Sequence, residues 1–586
     1  MKISGKMTEL IEKYRKLVQK YLDLRSYNTA MFWADRVVVL TDNSKDVFWL
    51  AHCMYMEKQY HRAAFLLKAR NLEKKNILCT SLAAKCYFEA LDLEQALQVI
   101  NNSDFNTPLT EGNIPPDIEL GFLEDTSKSH AISSFLLLKG RILAAMDNRS
   151  LAANYYKQAL RYDVYCFEAL DLLTRYQMLS SQEEYELLNS LPFAEQCSIE
   201  EVEIVKHLYE MRLKKFHTPM EPKIPNLFAS TPDCIRSLPG SIISTPMSSS
   251  DKMQIDSCVA VILSKFQTSL DFKVSQAEIL YYNGDYDNCL KLTETVLQKD
   301  PYHEGCLPIH IACLVEYKQS TKLFSLGHKL VNLYPNKAIS WYAVGCYYYV
   351  INNNDSARGN LTKATSLDKL FGPAWLVYGH SFANEKEHDQ AMAAYFKASQ
   401  LMKGCHLPHL YIGIECGLTN NVWLAEKFFE QAQAIAPNDP FTLQERGLIC
   451  FQKQEYEKAE QYFNIALEKI RKVKRGPLTP MWAPLLNNLG HVCRKLKKYD
   501  QALEYHNEAL ILNPQHPATV SAVAFVYSLM DKCDEALEWF HKALSLNRDD
   551  TFSRTMLNSL LERAADDLLP YSDSPNELPN FKQSQR

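Results

Sequence analysis

Between residues 338 and 550, small apolar residues return on a fixed beat. Gly345, Gly379, Gly413 and Gly447 lie 34 residues apart, and Gly490 follows after 43. Ala357, Ala391, Ala425, Ala459, Ala502 and Ala536 keep the same spacing. Each glycine precedes its alanine by 12 residues, so the nine extra residues fall between two repeats, around Arg471 to Pro480. A third series, Ala364, Ala398, Ala432, Ala466, Ala509 and Ala543, stands seven residues further on, with Leu361, Tyr395, Phe429, Phe463 and Phe540 in between. Spacings of four and seven place these side chains on one face of a helix. Upstream, Trp341, Trp375, Leu443 and Leu486 stand four before the glycine, and Tyr348, Phe382 and Tyr527 three after its position, which predicts a preceding helix. Glycine inside a helix costs about 1 kcal/mol relative to alanine. Its recurrence at one phase therefore predicts that two antiparallel helices approach closely there, with aromatic side chains filling the gaps. Pro335, Pro437 and Pro514 end the second helix of a pair.

This pattern of aromatic, Leu-Gly, Tyr, Ala, Phe, Ala and Pro over 34 positions resembles the tetratricopeptide repeat, with six consecutive copies from Ala338 to about Asp550. Two weaker copies precede them, one ending at Pro335 and one running from Leu280 and Tyr281 through Gly284 to Pro301. The N-terminal half repeats more loosely. Leu136, Gly140, Leu143, Ala152, Tyr156 and Ala159 fit the template, and Ala30, Ala64 and Ala96 mark three degenerate units within residues 11 to 104. Residues 105–130, with Pro108, Pro115 and Pro116, read as a loop. The expected fold is all-α, a tetratricopeptide-repeat superhelix or α-solenoid. It is organised as N-terminal repeats (1–213), a disordered Ser/Thr/Pro-rich linker (214–256), a C-terminal superhelix with a peptide groove (257–563) and a disordered tail (564–586).

Composition narrows the function. Glycine is scarce, at 18 of 586 residues, which argues against a turn-rich β protein and against Gly-rich phosphate loops. A net charge of -5 leaves no global basic field to recruit nucleic acid or an anionic membrane. The start, MKISGKMTEL, lacks a signal-peptide core, and apolar runs such as Cys258–Leu263 are too short to span a bilayer, so a soluble intracellular protein is expected. The 16 cysteines include no C-x-x-C pair and read as buried thiols.

No nucleophile elbow, HExxH, Walker loop or kinase signature occurs, so neither an enzyme nor a cofactor is expected. Cys405-His406-Leu407-Pro408-His409 offers three metal-ligand types in five residues, but an inter-repeat turn with partly buried histidines is the simpler reading, and no metal is assigned. A stack of helix pairs suits peptide binding instead. Template phase assigns to the groove Tyr342, Cys346, Tyr349, Leu376, His380, Leu407, Leu410, Ile414, Phe441, Gln444, Leu448, Phe451, Asn487, His491, Arg494 and Phe525, apolar and aromatic at first, then polar and basic. The basic runs Arg471–Arg475 and Arg494–Lys498 lie at helix ends, where cations meet the helix dipole. Thr218, Thr231, Thr245 and Ser574 each precede proline and are candidate sites for proline-directed phosphorylation.

Residues outside the template are more distinctive. The stretch from Tyr378 to Phe382, Glu387–Phe396, Gln400–Pro408, the Gly417–Asn421 turn and Pro484–Tyr499 resemble the cell division cycle protein 16 family, tetratricopeptide subunits of the anaphase-promoting complex. Echoes in Phe32–Asp35, Gln59–Ala64 and Asp163–Ala169 extend the resemblance over residues 10 to 560, with gaps. It implies a non-catalytic scaffold of a ubiquitin ligase that drives mitotic progression and exit, dimeric through its N-terminal repeats. It also implies that the C-terminal superhelix holds the N-terminus of a small accessory subunit of the cell division cycle protein 26 type, beside other tetratricopeptide subunits. Phosphorylated loops and a location in nucleus and cytoplasm, including spindle or centrosome, follow from the same resemblance. The alternative from the fold alone is a stand-alone peptide-binding adaptor of the co-chaperone kind.

Overall fold

The computed structural model describes residues 2–103, 128–213, 262–473 and 478–567, and every regular element among them is helical. The chain divides into two compact units, Met1–Tyr281 with Tyr286–Pro408, and Tyr282–Asp285 with His409–Arg586. Neither ends within the 214–256 segment, which lies outside the described residues, as do Thr218, Thr231, Thr245 and Ser574. The loop expected over 105–130 lies outside them up to residue 127. From there the helix Lys128–Ala145 begins, and at the other end Thr551–Asp567 runs past residue 564, where the tail was expected to start.

The helices come as hairpins. In the first unit these include Ser44–Met56 with Tyr60–Ala69, Ile77–Glu89 with Leu93–Asn101, Lys128–Ala145 with Arg149–Tyr162, Ala338–Val350 with Asn354–Leu367, and Gly372–Ala383 with His388–Leu401. The three degenerate N-terminal units are present, with Ala30, Ala64 and Ala96 fully buried. Two further helices, Phe167–Arg175 and Ser181–Ser190, were not read from the sequence; both contact Ile199–Arg212, and the first also packs on Arg149–Tyr162. The second unit holds Pro440–Gln452 with Tyr456–Val473, Ala483–Lys495 with Tyr499–Leu512, and Pro517–Leu529 with Cys533–Leu546. The nine-residue insertion adds a turn to Tyr456–Val473 and ends at a short 3-10 turn, Pro480–Trp482, whose Trp482 is buried.

The recurrent glycines have a single cause. At Gly140, Gly345, Gly379, Gly413, Gly447 and Gly490, a Cβ would run into the side chain sixteen residues later: Tyr156, Leu361, Tyr395, Phe429, Phe463 and His506. The second helix lays a large side chain directly over the first helix's backbone, and only hydrogen fits beneath it. The large partners are themselves almost wholly buried. Ala524 stands at the same phase as these glycines, sixteen residues before Phe540, and both are buried.

The turns between paired helices contain the residues that take up the left-handed conformation. Lys318, Asn352, Lys386, Asn420 and Gln454 have φ of 52 to 64°, and Arg25, Lys58, Leu91, Asp147, Lys497 and Asp531 have φ of 56 to 66°. The hydrogen bonds Asn353 N–H to Tyr348 O and Asn352 N–H to Tyr349 O, at 3.0 Å each, form a Schellman closure, repeated at Glu387 to Phe382 and Glu455 to Cys450. Side chains other than glycine are strained at such positions by roughly 1 kcal/mol or more. Leu91, with φ 65° and 84% exposed, gains nothing from packing there. Leu91→Gly is therefore expected to raise stability by about 0.5 kcal/mol, the relief of strain being partly offset by a freer unfolded chain. A thermal melt that is unchanged or lower would show the turn to be unstrained.

Candidate peptide-binding face

First helices of successive repeats touch each other as well as their own partners: Ala338–Val350 meets Gly372–Ala383 in the first unit, and Ala483–Lys495 meets both Pro440–Gln452 and Pro517–Leu529 in the second. Each unit thus carries a continuous first-helix face, and the two are described separately.

In the first unit the sequence expectation needs correction at three positions. Cys346 is fully buried, Tyr342 is 3% exposed with its ring edge-on to Phe371 at 5.2 Å, and Leu376 is 9% exposed. The first two serve the hydrophobic core and offer a partner no surface. Tyr349 and His380 are half-buried and lie together, ring centroids 6.2 Å apart. His380 Nδ1 is 2.7 Å from the Tyr395 hydroxyl, and burial pulls the imidazole down to about 4, so it is neutral at physiological pH.

In the second unit Leu410 is 3% exposed and is likewise a packing residue. Ile414, Phe441, Gln444, Leu448 and Phe451 are half-buried, as is Leu407, which belongs to the first unit. Phe441 packs against Trp482 at 4.7 Å between ring centroids, and Phe451 against Tyr456 at 5.4 Å. Glu445, beside Gln444, is pushed up to about 7 by burial with no cation to hold it charged. One repeat on, Asn487, His491 and Arg494 follow at helical spacing, all half-buried. The Arg494 guanidinium lies over the Phe525 ring at 4.8 Å, and its Nε has no hydrogen-bond partner. His491 faces His506 with ring centroids 5.0 Å apart. Aromatic and apolar side chains thus give way along the face to polar donors, an arrangement suited to an extended peptide.

The other candidates resolve simply. Cys405 and His406 are each 1% exposed and His409 stacks on Phe428 at 6.3 Å; no group of three metal-ligating side chains occurs among the described residues. The basic runs are engaged: Lys498 pairs with Glu460 at 2.7 Å, Arg471 with Glu508 at 3.5 Å and Lys472 with Glu468 at 3.4 Å. Thiols such as Cys53, Cys79, Cys86 and Cys306 are pushed up to about 12 by burial, the opposite of activation. No helix among the described residues is long and apolar enough to cross a membrane. One residue the sequence reading passed over is His506. The signal was available, because it fills the slot between Ala502 and Ala509 where the other C-terminal copies place Leu, Tyr or Phe.

Comparison with known proteins agrees with this picture. The family model described as anaphase-promoting complex, cyclosome, subunit 3 matches residues 23–103, and a tetratricopeptide-repeat model matches 439–515. The cell division cycle protein 16 homolog of Homo sapiens is 48% identical over 560 residues, covering 94% of this chain and 84% of that protein. Anaphase-promoting complex subunit 6 of Arabidopsis thaliana is 35% identical over 94% of this chain and 97% of its own length. Among solved structures, the crystal structure of the APC/C hetero-tetramer Cut9-Hcn1 superposes with a TM-score of 0.73 at 28% identity, over 95% of this chain and 98% of that one. With hairpins, glycine phase and whole-length relatives in agreement, the chain belongs to the cell division cycle protein 16 family of tetratricopeptide subunits of the anaphase-promoting complex.

Proposed function

We propose that the chain is a non-catalytic scaffold subunit of the anaphase-promoting complex, a cell-cycle ubiquitin ligase, and that the first-helix face of its second unit binds an Hcn1-type small subunit as an extended peptide. The observation that carries this reading is the whole-length likeness to a protein solved as a hetero-tetramer with Hcn1. A hetero-tetramer of two named chains also fits pairing of the large subunit through its N-terminal repeats. There Phe32, Val39 and Phe65 are 51%, 76% and 70% exposed, apolar side chains that favour a partner surface. The half-buried strip from Phe441 to Arg494 supports the peptide site. Contact with other tetratricopeptide subunits, phosphorylation at Thr218, Thr231, Thr245 or Ser574, and a nuclear and cytoplasmic location reaching spindle or centrosome complete the proposal.

The test is affinity purification of the tagged chain from dividing cells. Other subunits of the ubiquitin ligase and a small Hcn1-type protein should co-purify; their absence refutes the assignment and favours the stand-alone adaptor. Leu448→Glu, at a half-buried position of the face, should lose the small protein by at least tenfold while keeping the larger partners and the helical circular dichroism. Leu410 is unsuitable for this purpose, since its burial would confound binding with unfolding.

A further inference from the structure

His506 occupies a place that the fold otherwise fills with an apolar or phenolic side chain. It lies over Gly490 as Tyr156, Leu361, Tyr395, Phe429 and Phe463 lie over their glycines, and it is fully buried. A phenylalanine would fill the same space without polar atoms. The histidine leaves its Nε2 without a hydrogen-bond partner, and a buried unsatisfied acceptor is destabilising. What it provides is on the other side of the ring, where His506 Nδ1 is 2.6 Å from Asn487 Oδ1. Because the amide oxygen accepts, Nδ1 carries the proton and donates. Burial, with His491 and Arg494 close by, depresses the imidazole to about 3, so the ring stays neutral and this tautomer is retained at physiological pH.

Asn487 is itself half-buried on the first-helix face, one turn before His491 and two before Arg494. With its oxygen taken by His506, the orientation of its carboxamide is set, and among the described residues Nδ2 has no partner. We propose that His506 is a positioning residue for peptide binding: it holds the Asn487 carboxamide by its oxygen so that the NH2 group is presented to a main-chain carbonyl oxygen of an extended bound peptide. This rests on the assignment of the face to an Hcn1-type partner. The chemistry recognised is the peptide backbone and not a particular side chain, so it sets register and direction rather than sequence preference. An amide held in place before binding loses less side-chain freedom when the peptide arrives.

The experiment is calorimetric titration of the purified full-length chain with the Hcn1-type subunit of the same organism, together with thermal melts. His506→Phe is expected to bind about five- to tenfold more weakly while melting at the same temperature or higher. Asn487→Ala should weaken binding equally, and the double variant should be no weaker than either single one, since both remove the same hydrogen bond. His506→Asn, whose side-chain NH2 can take the place of Nδ1–H, should return affinity to within about twofold of the native value. Native-like affinity in His506→Phe, additive losses in the double variant, or a His506→Asn protein as weak as His506→Phe would each overturn the positioning role. Leu448→Glu separates the two levels. If it abolishes binding while His506→Phe does not, only the role of His506 fails; if neither changes binding, the face is misassigned and this inference falls with it.

Discussion

Gly413→Val is expected to lower the stability of the second unit by about 3 kcal/mol, an overpacking effect at the upper end of the usual range. A Cβ alone at that position would lie 2.5 Å from the Phe429 ring, and Phe429 is 1% exposed, so the ring has nowhere to go. Alanine should be milder, because Ala524 stands at the equivalent place opposite Phe540 and helix propensity favours alanine over glycine by about 1 kcal/mol. Valine adds two methyl groups into the same gap. Unfolding of the purified protein in urea would measure the loss, and a midpoint unchanged from native would show that the hairpin opens easily. Gly413→Ile with Phe429→Gly should recover part of what either substitution loses, as expected for residues in direct contact.

The second large effect is an acid sensitivity above the carboxylate range. Burial depresses His310, His380 and His491 to about 4 and His506 to about 3, whereas an unfolded histidine titrates near 6.5. Above about pH 6.5 both states are neutral and stability is flat. As pH falls below 6.5 the unfolded chain takes up protons that the folded chain does not, so stability drops until the folded values near 4 are reached. At pH 5.5 each group contributes roughly 1 kcal/mol of loss, shared between His310 and His380 in the first unit and His491 and His506 in the second. His491 and His506 face each other beside Arg494, which makes a proton on either still less welcome. The thermal midpoint should therefore fall steadily between pH 7 and 5, and His506→Phe should flatten the slope. A midpoint constant down to pH 5 would mean that these imidazoles reach solvent.

Much of the architecture was legible because the hairpin contact is made by residues of opposite size at a fixed separation of sixteen, and both members leave a mark in the sequence. The turns were less so. Apart from Gly284, the left-handed residues among the described turns are Lys, Asn, Leu, Gln, Asp and Arg, so the scarcity of glycine points to helices and says little of the strained positions between them. The binding face was legible in phase but not residue by residue. On a repeat helix the side chains that meet the neighbouring repeat and those that meet a ligand differ by little in angle, which is how Tyr342, Cys346 and Leu410 came to be assigned to the groove although they are packed inside. His506 left its mark as an exception to an aromatic series, and an exception acquires meaning only once the partner across the helix pair, Asn487, is known.

The sixteen-residue separation also bears on how the chain is made. The main packing event of a repeat closes a loop shorter than the repeat itself, and loops of that size close in well under a microsecond. Ion pairs such as Lys322 with Glu294 and Lys453 with Glu426 then join adjacent hairpins, while Arg175 with Glu304 and Lys397 with Asp147 tie hairpins far apart in the chain. At a synthesis rate of about 5–20 residues per second, each hairpin has seconds to form and dock on its predecessor before the next one emerges from the ribosome. Hairpins can therefore form in the order of translation, and the long-range ties within the first unit close only after residues 304 to 404 have been made.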